Sequence, residues 1–217
     1  MGLYKTLNNQ LKKNKGQWGW WDILMIVLLS IMLFVFTSLI QHFRSHGFST
    51  AIGLDGLIPF VPVFIIPYLF HFPFIILSIY MLRNAPEERK GLLTSLFLAT
   101  LISQIIYIIW QTEMVRPDII VTDIFTLLTS FVYSFDSMVN LLPSLHVVHI
   151  ACCLFFIRNK GYWWRIVGFL IIISTVFVKQ HYILDIFTGI ALAIITSIIS
   201  VFFVKKYILH KKHKKSS

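Results

Sequence analysis

His181 and Asp185 stand four residues apart at the head of a long apolar run, a spacing that puts both side chains on one face of a helix. A carboxylate bonded to one imidazole nitrogen fixes the tautomer and leaves the other nitrogen free to act as a nucleophile. The same pair would serve equally well as polar glue between helices, so the spacing alone does not choose. Gly189, four residues further on, shares that face and allows close helix approach. Pro143-Ser144-Leu145-His146 supplies a second fragment. Pro and Ser at a helix start leave backbone N–H groups unpaired, a setting that binds anions, and the Ser144 hydroxyl adds a donor. His146, one turn further in, can protonate a departing alkoxide. A Ser cap followed by a His is nevertheless common in ordinary helices. Arg116-Pro117 brings a planar fork that suits phosphate or anchors lipid heads, and Lys179 can clamp phosphate or snorkel to an interface. Two imidazoles, a carboxylate and such cations, brought together, are the parts needed to move a phosphoryl group through a covalent histidine intermediate.

The elements that must position these residues are apolar. Hydrophobic residues make up 57% of the chain and charged ones 13%, outside the range of soluble folds. Runs near 22–41, 57–82, 92–110, 142–157, 164–178 and 183–204 mostly approach the length needed to cross ~30 Å of hydrocarbon. They predict an all-α integral membrane protein with six transmembrane helices, the short fourth and fifth adjoining the two polar motifs. The stretch 112–141, with Ile119, Ile120, Ile124, Phe125, Leu127 and Leu128, predicts a short interfacial helix between the third and fourth spans. Prolines 59, 62, 67 and 73 predict a kinked second span.

With six spans, sixteen of the nineteen Lys and Arg residues fall on one side, and only Arg44, Arg116 and Lys179 on the other. Both termini are then cytoplasmic and both motifs extracytoplasmic, with the plasma membrane as the expected location. The net charge of +10 resides in cytoplasmic flanks and a basic tail, a pattern that suits anionic lipid heads and not nucleic acid. The first apolar run is too long for a signal peptide and no small-residue cleavage site follows it. Cys152 and Cys153 are adjacent and read as small packing groups, His42, His46 and His71 as interfacial or packing residues, and the Trp pairs at 20–21 and 163–164 as interface anchors. One membrane domain, 1–204, is expected, followed by a disordered basic tail, 205–217.

Arg-Pro, then Pro-Ser-x-His, then His-x-x-x-Asp, in that order and on one membrane face, resemble the type-two phosphatidic acid phosphatase superfamily. The resemblance covers 116–189 by motif and the whole chain by topology. It implies a six-helix membrane enzyme, without metal or cofactor, acting on a phospholipid or isoprenoid phosphate. It assigns His181 as nucleophile, Asp185 as its orienting partner, His146 as general acid, and Arg116 and Ser144 as phosphate ligands. Lys179, where the pattern often has Gly, would replace charge missing at Ile109 and at Ser174-Thr175, where members carry Lys and Ser-Arg. The Lys-Gln-His-Tyr-x-x-Asp form and the Asp55-Gly-Leu-Ile-Pro-Phe-Val-Pro segment are similar to the branch that includes inositol phosphorylceramide synthases. Asp55, Pro117 and Tyr182 are accordingly expected to line the site. Hydrolysis of a lipid phosphate and transfer of a phospho-headgroup to an alcohol both fit. Two other readings are a metal site built from His146, His149, His181 and Asp185, and a non-catalytic lipid-binding or transport protein.

Overall fold

The computed structural model describes residues 18–36, 39, 47–136 and 138–213, with side chains described as far as Tyr207; His42, His46 and Arg44 lie outside the described residues. Most of it is helix. The first, α1 (Trp20–Ile31), runs into a π turn, Met32–Phe36. There follow α2 (Ile65–Leu69), α3 (His71–Met81), α4 (Pro86–Ile109), α5 (Ile124–Phe135), α6 (Leu145–Phe156), α7 (Tyr162–Phe177) and α8 (Ile183–His213). Two short strands, β1 (Phe48–Ser49) and β2 (Thr112–Glu113), pair in parallel with Phe48 opposite Thr112. Among the described residues, three helical stretches are long and apolar enough to cross a membrane: Pro62–Met81, Pro86–Ile109 and Ile183–Tyr207.

The sequence explains where the elements begin and break. In the second apolar run the prolines interrupt the ladder. Pro73 has no N–H and its ring meets the carbonyl four residues back, at Leu69, so the helix pauses at Phe70 and restarts as α3. α4 opens on Pro86 at its first position with Glu87 and Glu88 in the first turn, where the helix dipole favours both. α8 has no Gly or Pro after 204 to stop it and runs on to His213, so Lys205 and Lys206 belong to the helix and not to a separate tail.

α4 is the central post. Its Leu92, Leu93, Leu96 and Ala99 are fully buried, and it packs against α8, α6 and α1. A buried ion pair ties it to α1: the Arg89 Nε donates to Asp22 Oδ1 at 2.9 Å and Nη2 to Oδ2 at 3.1 Å. Cys152 packs in the hydrophobic core as expected, at its polar edge. It sits in a small polar seam where the Ser95 hydroxyl donates to its Sγ at 3.2 Å, with Thr196 and Ser197 around them.

The expected short helix is α5, starting after the Ile119-Ile120 pair. Its cap is reciprocal: Thr126 N donates to Asp123 Oδ1 at 2.8 Å and Asp123 N to Thr126 Oγ1 at 3.0 Å. The Thr126 N–H holds the Asp123 carboxyl below its ordinary range. Phe125, Leu128 and Val132 pack onto Ile65, Tyr68 and Val178, whereas Ile124, Leu127, Phe131 and Phe135 are exposed. α5 is thus apolar on two faces, of which the protein covers one.

Candidate functional site

The end of α7 sets the position of His181. Lys179 adopts a left-handed conformation, φ 52°, and the chain closes the helix with Gln180 N donating to Thr175 O at 2.9 Å and Lys179 N to Val176 O at 3.2 Å. This is a Schellman termination, and it explains why Gly suits this position. The lysine side chain is held elsewhere: Nζ donates to the backbone carbonyls of Ile58 (2.5 Å) and Asp55 (3.3 Å). Lys179 therefore does not line the cavity described below, because two carbonyls of the 53–58 turn take its donors.

The start of α8 is capped from two directions. Asp55 Oδ1 accepts from Ile183 N at 2.8 Å, and Asp185 Oδ2 accepts from Tyr182 N at 2.8 Å. Asp55 is a helix cap rather than a site-lining residue; Tyr182 takes part through its backbone, and Pro117 is exposed away from the cavity. His181 precedes α8 by two residues, so its pairing with Asp185 is made across the cap and not along a helix face. His181 Nδ1 lies 3.4 Å from Asp185 Oδ2, ion-pair distance, but the approach lacks hydrogen-bond geometry. Thr50, unremarked in the sequence, donates its hydroxyl to Asp185 Oδ1 at 3.1 Å.

His146 is positioned by the loop before α6. Thr112 Oγ1 accepts from Leu141 N and Leu142 N, both at 3.0 Å, and Tyr107 donates its hydroxyl to Pro143 O at 2.5 Å. The Leu142–Pro143 bond is cis. Ser144 is fully buried; its Oγ accepts from Val147 N at 3.3 Å and its N–H donates to Asp185 O at 3.3 Å. It caps α6 and does not reach the cavity, contrary to the phosphate-ligand expectation. Beside it α8 comes close: a Cβ on Gly189 would lie 3.1 Å from Val147 Cβ and 3.2 Å from Ser144 O.

These supports bring the imidazoles of His146 and His181 to a centroid separation of 5.8 Å. Both line a cavity of about 110 Å³ together with Arg116, Asp136, Tyr107, Asn140 and Gln180. Arg116 is anchored there, Nη1 donating to Asp136 O at 2.7 Å and Nη2 to Gln180 Oε1, with Cζ 4.6 Å from the centre of the Tyr133 ring. Its Nη2 also lies 3.9 Å from Asp136 Oδ2. Burial pushes the Asp136 carboxyl up, with Arg116 opposing, and raises the Tyr133 phenol to about 12.

Two features were not read from the sequence. Asp136, Gln180 and Asn140 surround Arg116 and the histidines, and the one available signal was Gln180 flanking His181. His71, expected at a boundary, is 4% exposed, with its ring 4.6 Å from His146 and 5.6 Å from His149, centre to centre. Among the described residues no three His, Cys, Asp or Glu side chains converge as metal ligands, and His149 instead bonds Thr100 Oγ1 through Nε2 at 2.9 Å. No family model, curated protein or solved structure matches the chain.

Proposed function

We propose that the chain is a membrane-embedded lipid phosphate phosphatase that works through a phosphohistidine, a member by resemblance of the type-two phosphatidic acid phosphatase superfamily. The observation that carries this reading is the meeting of two imidazoles across one cavity, His146 from α6 and His181 from the turn before α8, with the Asp185 carboxylate behind His181. In this reading six segments cross the bilayer, beginning with α1 and its π turn and ending with α8. The 12 residues of α6 and 16 of α7 are too short to cover ~30 Å at ~1.5 Å per residue, which suits helices that end in a polar cavity. α5 lies at the outer interface with its exposed apolar face toward lipid. Both termini are cytoplasmic.

Asp185 faces His181 Nδ1, so Nε2 is the attacking atom. Its lone pair forms the N–P bond as the P–O bond to the lipid breaks, and His146 gives a proton to the leaving oxygen. Water then attacks phosphorus, the N–P bond breaks, and the water proton returns to His146. Arg116 binds the phosphoryl oxygens by exchanging its present acceptors for them. The cavity admits a phosphate-sized group, and the lipid chains stay outside it. An alcohol in place of water would yield headgroup transfer by the same steps.

The test uses purified protein and a panel of lipid phosphates, with and without alcohol acceptors, scored for free phosphate against transferred headgroup. Wild type is expected to accumulate an acid-labile, base-stable phosphoenzyme, and H181A to lose it together with turnover. Full turnover by H181A would refute the mechanism.

A further inference from the structure

We propose that His71 is a positioning residue for His146, offering a lone pair to the second N–H of that ring when it carries both protons. The inference rests on the phosphohistidine reading for its purpose, but on separate observations for its geometry. A general acid must hold two N–H groups. One points to the leaving oxygen, and the other needs an acceptor, because an imidazolium N–H without one is costly in a buried site.

His71 is placed to be that acceptor. It is 4% exposed, and neither ring nitrogen has a hydrogen-bond partner, in a helix where such a group is expensive to keep. Its ring stands 4.6 Å from that of His146 and 5.6 Å from that of His149. The proton order along this row follows from its far end. The Thr100 hydroxyl donates to Leu96 O at 2.8 Å, so at the 2.9 Å contact with His149 it is Nε2–H that donates. His149 Nδ1 is then a bare acceptor without a partner. An N–H of His71 turned to that lone pair leaves the other His71 nitrogen as an acceptor toward His146. Neither bond is made in the present ring orientations, and the pairing requires the rings to turn about χ2, a soft torsion.

The other groups that face the pair do not take this role. Tyr68 borders His146, ring centres 4.7 Å apart, but its hydroxyl is turned to Asp136 at 3.4 Å. His181 is the nucleophile, with Asp185 behind it, and Arg116 is a cation on the cavity wall. Phe72 covers the remaining face of His71.

The test is a titration of the full chain labelled with ¹⁵N-histidine in detergent micelles, the His146 resonances identified by their loss in H146Q. In H71F the His146 midpoint is expected to fall by about one unit, the loss of a hydrogen bond to a charged group, while H71N, which keeps an acceptor, restores most of it. A structural role alone would change yield and melting temperature but not this midpoint. Wild type gives a second readout that needs no variant: an N–N coupling across the hydrogen bond between His71 and His146 below the midpoint. An unmoved midpoint in folded H71F, or absence of that coupling where H71F does not fold, overturns the proposal. Inactive H181A with an unmoved His146 midpoint removes the pairing alone. Active H181A with a shifted midpoint keeps the pairing and removes the phosphohistidine.

Discussion

The convergence of the two histidines depends on how closely α8 lies against the start of α6, and Gly189→Ala measures that. The new methyl carbon would sit 3.1 Å from both Cβ and Cγ1 of Val147 and 3.2 Å from Ser144 O. Neither neighbour yields easily. Val147 is fully buried, and Ser144 O is the acceptor of Val148 N at 2.9 Å in the first turn of α6. Overpacking at such a site costs about 1–3 kcal/mol. Ala in place of Gly inside a helix returns about 0.8–1 kcal/mol. Taking the middle of each range, overpacking wins by about 1 kcal/mol, or roughly 2–4 °C in melting temperature for a chain of this size. Val147→Ala in the same background removes the Cγ1 contact and leaves the Cβ and backbone ones, so G189A should cost less there than in wild type. Intrinsic tryptophan fluorescence during heating reads all four proteins. G189A with an unchanged or higher melting temperature, or the same cost in both backgrounds, would show that the helices are not held at this distance.

Three further outcomes follow from the contacts. Asp22→Ala strands the buried Arg89 guanidinium and is expected to cost about 3 kcal/mol, the lower end for a broken buried pair, since Arg89 Nη1 keeps Arg83 O at 2.8 Å; melting temperature checks it. Lys179→Gly keeps the left-handed turn and relieves about 1–2 kcal/mol of its strain while losing charged hydrogen bonds worth about 1.5–3 kcal/mol. Its stability should stay near wild type and turnover should persist, whereas loss of turnover in folded K179G would place Lys179 on the phosphate. The Asp123 carboxyl is held below its ordinary range by the fold, so its contribution is present above the unfolded-state pKa and lost as pH falls through the lowered one. The protection factors of the α5 amides, exchange corrected for its intrinsic pH dependence, should therefore fall at acid pH, and D123N should weaken that fall.

What the sequence disclosed depended on whether a residue's job is set by its own neighbours. His181, His146 and Asp185 were legible as a group because their types and order stand out against an apolar chain, and the structure brings the three to one place. The break at Phe70 was legible from Pro67 and Pro73 for the same local reason. Ser144 and Lys179 were misread because each carries chemistry that also serves the backbone. A hydroxyl at a helix start is claimed by the third N–H after it, and an ammonium beside a turn is claimed by carbonyls. Asp136 was not read at all, Gln180 only as part of a motif, and His71 only as an interfacial or packing residue. Each acquires meaning only from a partner more than thirty residues or a whole helix away, and no period or spacing in the sequence marks such a contact.

Asp185 shows how the fold makes one residue serve both halves of the site. Its carboxylate accepts from Tyr182 N and Thr50 Oγ1 and stands behind His181, while its backbone carbonyl accepts from Ser144 N, the cap of the helix that carries His146. The side chain faces His181 and the main chain holds the start of the helix that carries His146. A substitution at 185 that keeps the helix therefore perturbs His181 without releasing His146, and the bare approach at Gly189, one turn along, lets a main-chain bond span the two helices. The small residue and the charged one act at the same helix contact, since a Cβ at 189 would press on Ser144, whose N–H holds the Asp185 carbonyl.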